Sequence, residues 1–199
     1  DWSSDVCSSD LIRFIRILPS TVYMAVRIDK GIEEYLRKNI SDKRFAHLKR
    51  CAETAEILCL RNGLDAKKGA DAALLHDAAR ECSDEEILRL AESRYDLTPE
   101  ERNNPLLVHG KAAAAMIARD LGIEDEDILE AAACHTTGCP GMGQIARVVF
   151  IADYVEPERT HITEGFRTRV LESDPARGML LVLEREISYL EGKGVHVLE

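Results

Sequence analysis

The stretch AALLHDAARE, residues 72–81, places a histidine and an aspartate directly after four small or aliphatic residues. This composition is typical of a buried helix, and a buried carboxylate that lacks a partner is costly. Two interpretations follow for His76 and Asp77. They form a polar pair that closes a gap between helices, or they are ligands of a metal ion.

The sequence on both sides of this stretch predicts a succession of helices. Apolar residues recur with helical spacing over 32–40 and 45–59, with Ser41 or Asp42 as an N-cap and Gly63 after the second segment. Asp65 opens the helix that is predicted to carry His76 and Asp77.

The remaining chain continues the helical pattern. Ser83 begins a capping box, and Gly122 follows an alanine-rich segment that starts near 109. Helices are predicted over about 84–91, 109–121, 124–137, 142–155 and 175–192. Because no alternating strand pattern or internal repeat is present, the sequence predicts an all-α fold with one helical domain.

Length, charge and cysteine placement favour a single-domain protein and argue against nucleic-acid-binding, membrane-spanning and disulfide-scaffold proteins. The 199 residues suit one domain, and the net charge of −10 argues against nucleic acid or an anionic membrane as partner. No apolar run approaches the roughly 20 residues of a membrane span. The six cysteines show no spacing of a disulfide scaffold, so reduced thiols in a cytoplasmic protein are expected.

The first eleven residues, DWSSDVCSSDL, match the conceptual translation of a common sequencing adapter. We therefore expect residues 1–23 to be a non-native or disordered extension, with Met24 as a plausible native start. The functional domain is then expected over 24–199, and Cys7 carries no meaning.

Several histidines and carboxylates fall on or beside apolar helix faces rather than charged ones. His47 and His76-Asp77 do so, and Asp153 follows the buried-looking run VVFIA. Such groups in one small core require a cation between them, and imidazole with carboxylate suits first-row metals such as iron, manganese or zinc. The pattern as a whole therefore favours a metal site.

Five blocks occur in an order and at a spacing that resemble a known family. They are KRFAHLKRCAETA (43–55), LLHDAAREC (74–82), VHGKAAAAMIARDLGI (108–123), HTTG (135–138) and FIADYVEPER (150–159). Together they resemble the HD-domain metal-dependent phosphohydrolases, and more narrowly the YqeK family of symmetrical diadenosine tetraphosphate (Ap4A) hydrolases. The resemblance covers about residues 30–199 and implies a single HD-domain helical bundle.

The resemblance implies a role for each matching position. The metal ligands are expected to be His47, His76, Asp77 and Asp153. Asp77, His109 and His135 are expected to be catalytic, the two histidines contacting phosphate or holding a second ion. Substrate contacts are expected from Arg44, Arg80, His109, His135, Arg159 and His196. The family usually has lysine where this chain has Arg80, and the segment THITEGF departs from its pattern, so His161 receives no role.

The implied reaction is hydrolysis of Ap4A to two ADP with one or two divalent ions, iron foremost and manganese or another first-row metal as alternatives. Two other functions stay open. One is an HD phosphohydrolase acting on nucleoside monophosphates or deoxynucleoside triphosphates, and the other is a regulator that binds a dinucleoside polyphosphate or ADP without turnover. A homodimer is also left open. Cys134, His135 and Cys139 are too few for a closed structural zinc site.

Overall fold

The structure is a computed structural model that describes residues 28–194. Over this range the chain forms α-helices and one short 3-10 helix, and the described residues contain no strand. The helices are α1 (Lys30–Asn39), α2 (Asp42–Arg61), α3 (Ala66–Leu75), α4 (Asp84–Glu92), α5 (Pro99–Asn103), the 3-10 helix (Pro105–Val108), α6 (His109–Leu121), α7 (Glu126–Cys134), α8 (Gln144–Val155), α9 (Glu164–Leu171) and α10 (Pro175–Gly192). The predicted all-α fold is confirmed, whereas the predictions for residues 1–23 and for His196 lie outside the described residues.

The predicted helix starts and stops follow from local side chains. The Ser41 hydroxyl accepts a hydrogen bond from the backbone of Arg44, and the Asp65 carboxylate caps α3 in the same way. Ser83 caps α4 by accepting from the Glu86 N–H at 3.3 Å, but within residues 28–194 the reciprocal bond to the Glu86 carboxylate is not formed, so only half of the predicted capping box is present. Gly122 ends α6 with a φ of 64°, a backbone conformation that favours glycine.

The core lies where α2, α3, α7 and α8 pack against one another, with α6 and α10 on the outside of this group. Helix α8 is the most apolar of them, and residues on several of its sides are buried, including Val148, Val149, Ile151 and Ala152. Because α8 runs through the core, its last turn carries Asp153 to a place that α2 and α3 also reach.

One prediction about the opening stretch is wrong: His76 and Asp77 do not lie within a helix. Helix α3 ends at Leu75, and residues 76–81 continue as turns. In these turns the N–H groups of Ala78 and Arg80 bond to carbonyls three residues earlier, at 3.1 and 3.0 Å. Both side chains nevertheless reach one site, where Nε2 of His76 lies 3.8 Å from Oδ2 of Asp77.

Two further predictions, both about the end of α7, are wrong. The helix stops at Cys134 rather than near Thr137, residues 135–137 form turns, and Gly138 then adopts a φ of 71°. Cys134 and Cys139 form a disulfide, which contradicts the expectation that all six cysteines are reduced. The disulfide closes a short loop that contains His135. Cys51, Cys59 and Cys82 are free thiols.

Two helices were not predicted from the sequence. Helix α5 depends on a capping box in which Thr98 and Glu101 bond reciprocally. Helix α9 carries Arg167, whose buried guanidinium donates to the carbonyl of Val155 at the end of α8 and to that of Arg159 in the following segment, at 2.9 and 3.2 Å. Among the helices of residues 28–194, none combines the length and apolar character that a bilayer crossing requires.

Candidate metal centre

Five separate segments of the chain bring histidines and aspartates together. His47 lies on α2, His76 and Asp77 follow α3, His109 begins α6, His135 follows α7, and Asp153 lies in the last turn of α8. The four histidines and Asp77 are all buried, and the Asp153 side chain is 24% exposed. The donors on these six residues meet at one end of the core.

Three of the histidines are oriented by the same local interaction. The Nδ1 atoms of His76, His109 and His135 lie 2.6, 2.6 and 2.8 Å from the backbone carbonyl of the residue three positions earlier. A carbonyl oxygen can only accept, so each Nδ1 carries the proton. In the neutral ring the lone pair is then on Nε2, which is the atom that faces the centre of the site.

His47 is oriented by a carboxylate instead of a carbonyl. Its Nδ1 lies 3.3 Å from Oε1 of Glu156, and the Arg50 Nε donates to the other oxygen at 2.7 Å. Burial opposes the charge of Glu156, but these two partners lower the pKa of its carboxyl to about 2. A carboxylate behind a histidine in this way fixes the tautomer that metal ligands use.

The inward-facing nitrogens approach each other and the aspartates closely. Nε2 of His109 lies 3.0 Å from Nε2 of His135 and 3.0 Å from Oδ1 of Asp77. Nε2 of His47 lies 3.1 Å from Oδ1 of Asp153. Because neutral rings would direct lone pairs at each other and at carboxylate oxygens, these contacts are unfavourable unless a proton or a metal cation lies between them.

The fit of a metal ion can be tested on the buried atoms that have no partner. Nε2 of His76 and Oδ1 of Asp77 are buried and accept no hydrogen bond within the described part of the chain. Leaving such a group unsatisfied costs about 1–3 kcal/mol. A divalent ion would satisfy both atoms, so the residues present fit the metal that the sequence predicts.

Two overlapping sets of donors lie close enough to hold an ion, with the ligand atoms of each set within 4.8 Å of one another. One set is His47, Cys51, His76 and Asp153, and the other is His76, Asp77 and His135. All four expected ligands are therefore present. Asp77 groups with His135 rather than with His47, however, and His76 belongs to both sets.

Burial and charge move the pKa values of these groups in opposite directions. Burial lowers the pKa of His76 to about 4, which keeps its ring neutral. Burial also opposes charge on His135, but the nearby carboxylates of Asp77 and Asp153 raise its pKa above the ordinary value. Burial disfavours charge on Asp77, yet the surrounding histidines hold its pKa well below its usual range.

The predicted substrate arginines line the cavity that opens onto this cluster, which has a volume of 330 Å³. Nη1 of Arg44 contacts Oδ2 of Asp77 at 2.8 Å, and the Arg159 guanidinium pairs with the Asp153 carboxylate. Arg80 also lines the cavity, and within residues 28–194 it forms no ion pair. Three cationic side chains thus surround the opening of an otherwise acidic molecule.

Close packing between α6 and α7 holds two of the histidines in place. Gly110 lies against α7, where an added Cβ would come within 2.5 Å of the Ala132 carbonyl oxygen and 3.0 Å of the His135 Nδ1. Only glycine permits this approach, which explains why it follows His109. The Thr136 hydroxyl lies 3.3 and 3.2 Å from the Nε2 atoms of His109 and His135.

Sequence reasoning missed four residues around the site: Cys51, Thr136, Glu156 and Arg167. The available signal for Glu156 was an acidic residue directly after the buried run of α8, where solvent exposure is not expected. The signal for Cys51 was its position four residues after His47 on the same helix face. No local signal marks Arg167, since its role depends on the loop that it contacts.

The HD domain family matches residues 44–158, the segment that contains all six clustered residues. The symmetrical bis(5'-nucleosyl)-tetraphosphatase of Bacillus subtilis is 30% identical over 158 residues, which cover 79% of this chain and 85% of that protein. The protein of the same name from Staphylococcus aureus is 34% identical over 132 residues, 62% of this chain and 64% of that one.

A solved structure shares the fold of this chain. The crystal structure of a protein described as a predicted HD superfamily hydrolase involved in NAD metabolism, from Clostridium acetobutylicum, superposes with a TM-score of 0.76 and 31% identity. The superposition covers 84% of this chain and 89% of that one. On these matches, the chain belongs to the HD domain family and, within it, to the YqeK family of symmetrical bis(5'-nucleosyl)-tetraphosphatases.

Proposed function

We propose that this protein hydrolyses Ap4A symmetrically to two ADP with a divalent metal, iron foremost, held by His47, His76, Asp77 and Asp153. The observation that carries the proposal is the set of inward-facing Nε2 atoms whose Nδ1 partners are already fixed. Such an arrangement is costly without a cation and is favourable around one. The activity of the related tetraphosphatases supports the choice of substrate.

The chain supplies the groups that a polyphosphate requires. Arg44, Arg80 and Arg159 line the cavity above the cluster, where guanidinium groups bind phosphate oxygens through paired N–H donors. A divalent ion bound below them would act as a Lewis acid and lower the pKa of bound water toward neutrality. Hydrolysis of the central anhydride bond by one water molecule then releases two ADP.

His109 and His135 have a separate role in this proposal. Their Nε2 atoms lie next to Oδ1 of Asp77, at 3.0 and 3.4 Å, and both rings line the cavity. We assign them to contact with the phosphate chain, and their Nδ1 bonds to backbone carbonyls hold the rings in place. The donor set of His76, Asp77 and His135 leaves a second ion as the alternative role.

A substrate panel tests the function. Metal-free protein, obtained with a chelator, is loaded with ferrous iron or manganese and assayed with Ap4A, AMP and dATP, with the products separated by chromatography. We expect two ADP per Ap4A in the loaded samples, none in the metal-free control, and faster turnover with iron than with manganese.

The other outcomes contradict the proposal in different ways. AMP plus ATP from Ap4A would refute symmetrical cleavage. Turnover of AMP or dATP without turnover of Ap4A would assign the protein to another HD phosphohydrolase activity. Tight binding of Ap4A without products in any metal form would identify a nucleotide-binding regulator.

A further inference from the structure

A second cavity lies beside the metal centre and has no role in the function proposed above. Its volume is 760 Å³, within the range of about 300–1,000 Å³ that is typical of small-molecule sites. Tyr154 and His161 line one side of it, and Arg185, Glu186 and Tyr189 of α10 line the other. We call it the aromatic pocket.

The aromatic pocket adjoins the cavity over the metal centre. Tyr154 and Glu186 line both of them, and the Tyr154 hydroxyl donates to Oε2 of Glu186 at 3.0 Å. Tyr154 directly follows Asp153 in the chain. A ligand whose phosphates lie at the metal centre can therefore extend into the aromatic pocket across this pair.

The side chains of the aromatic pocket suit a flat heterocycle. Tyr154 and His161 meet edge to face with ring centroids 5.9 Å apart, and Tyr189 presents a phenol ring that is 58% exposed. Arg185 donates to the His161 carbonyl at 3.0 Å and lies over the Phe166 ring, so the segment with His161 is tied to α10. Aromatic faces of this kind bind nucleobases by stacking.

The order of the groups matches the order of parts in a nucleotide. The arginines come first, at the phosphate end, Glu186 stands at the boundary, and the aromatic rings lie beyond it. A carboxylate at such a boundary can accept hydrogen bonds from ribose hydroxyls.

We propose that the aromatic pocket binds the nucleoside of one half of the substrate, with the base against Tyr154, His161 and Tyr189 and the ribose beside Glu186. The proposal rests on the proposed function, because it takes the phosphates to lie at the metal centre. It assigns His161, which the sequence leaves without a role, to recognition of the base.

Binding of two probes tests the aromatic pocket independently of turnover. The manganese-loaded full chain is titrated calorimetrically with ADP and with inorganic pyrophosphate, which lacks the nucleoside. We expect wild-type protein to bind ADP more tightly than pyrophosphate. Tyr189→Ala and His161→Ala should each weaken ADP binding by about 5-fold or more, since stacking on one aromatic ring contributes about 1–3 kcal/mol per base. Their affinity for pyrophosphate should not change.

Two control variants complete the design. Leu180→Ala removes a side chain of α10 that is 50% exposed and lies outside the aromatic pocket, and it should leave both affinities unchanged. Tyr189→Phe keeps the ring and should bind ADP like the wild type.

Three results would refute the proposal that the aromatic pocket binds the nucleoside. The first is wild-type ADP affinity in both alanine variants, and the second is an equal loss of pyrophosphate affinity, which would place their effect on the phosphate end. The third is that the wild-type protein binds neither ADP nor pyrophosphate, which would also refute the proposed function. Normal pyrophosphate binding with unaltered ADP affinity refutes the aromatic pocket alone.

Discussion

Replacing Glu156 by glutamine should destabilise the metal-free protein by about 3 kcal/mol at pH 7. The pKa of this carboxyl is about 2 against an ordinary value of 4.5, and each unit of difference corresponds to about 1.4 kcal/mol. The lowered value means that the folded state favours the ionised carboxylate, through Arg50 and His47. Glutamine keeps an acceptor oxygen but loses the charge.

The pH dependence of this effect has a defined sign. Because the folded-state pKa is lowered, the stabilisation is fully present above about pH 4.5 and is lost as the pH falls toward 2. Urea unfolding of metal-free wild type and Glu156→Gln, followed by far-ultraviolet circular dichroism, should show this difference in the free energy of unfolding at pH 5. The difference should then shrink at lower pH.

Glu158→Gln is the matched control for this experiment. Glu158 contacts the same Arg50, at 2.9 Å, but its side chain is 64% exposed, and exposed ion pairs contribute about 0–1 kcal/mol. Equal stability losses in the two variants, or a Glu156→Gln difference that persists unchanged to pH 2, would refute the assignment of a buried, charge-dependent role. Metal titration of Glu156→Gln should also show an affinity about 10- to 100-fold lower.

Further predictions follow from the same geometry. Asp77→Ala should lose both bound metal and Ap4A turnover while keeping its circular dichroism spectrum; full activity of the metal-free variant would contradict the metal centre. Arg80→Ala and Arg159→Ala should weaken ADP binding, since each charge-assisted contact contributes about 1.5–3 kcal/mol, with metal content unchanged by elemental analysis. Gly110→Ala should cost about 1–3 kcal/mol of stability in urea and lower metal affinity, because its Cβ would press on the Ala132 carbonyl oxygen and on the ring of His135. Deletion of residues 1–23 should leave the melting temperature and the turnover unchanged.

The sequence predicted those features of the fold that depend on neighbouring residues. The caps at Ser41, Asp65 and Ser83 each need only a backbone N–H two or three positions later, so a single side chain identifies them. The end of α3 could not be predicted in this way. His76 and Asp77 follow alanines and leucines that favour helix, and only the bonds within the turns after Leu75 stop it.

In the candidate site, too, features that depend on local sequence could be predicted, and features that depend on distant helices could not. His47, His76, Asp77 and Asp153 were recognisable from their residue types on or beside apolar faces, and all four lie in the cluster. The roles of His109 and His135 were expected only from the family resemblance. Glu156 was missed because its partners, His47 and Arg50, lie on a distant helix, and no local pattern links them. The grouping of Asp77 with His135 was missed for a related reason, since it depends on how α6 packs on α7 around Gly110.

The separation of the donors along the chain also bears on the lifetime of the folded state. His47 and Asp153 lie near opposite ends of the family match, 44–158, yet their side-chain atoms are 3.1 Å apart. A bound ion would therefore join segments that meet only after a long loop has closed, and we expect these contacts to form after the transition state of folding. Interactions absent from the transition state slow unfolding and leave the folding rate unchanged. Metal supply should thus govern how long each molecule stays folded, rather than how quickly it folds.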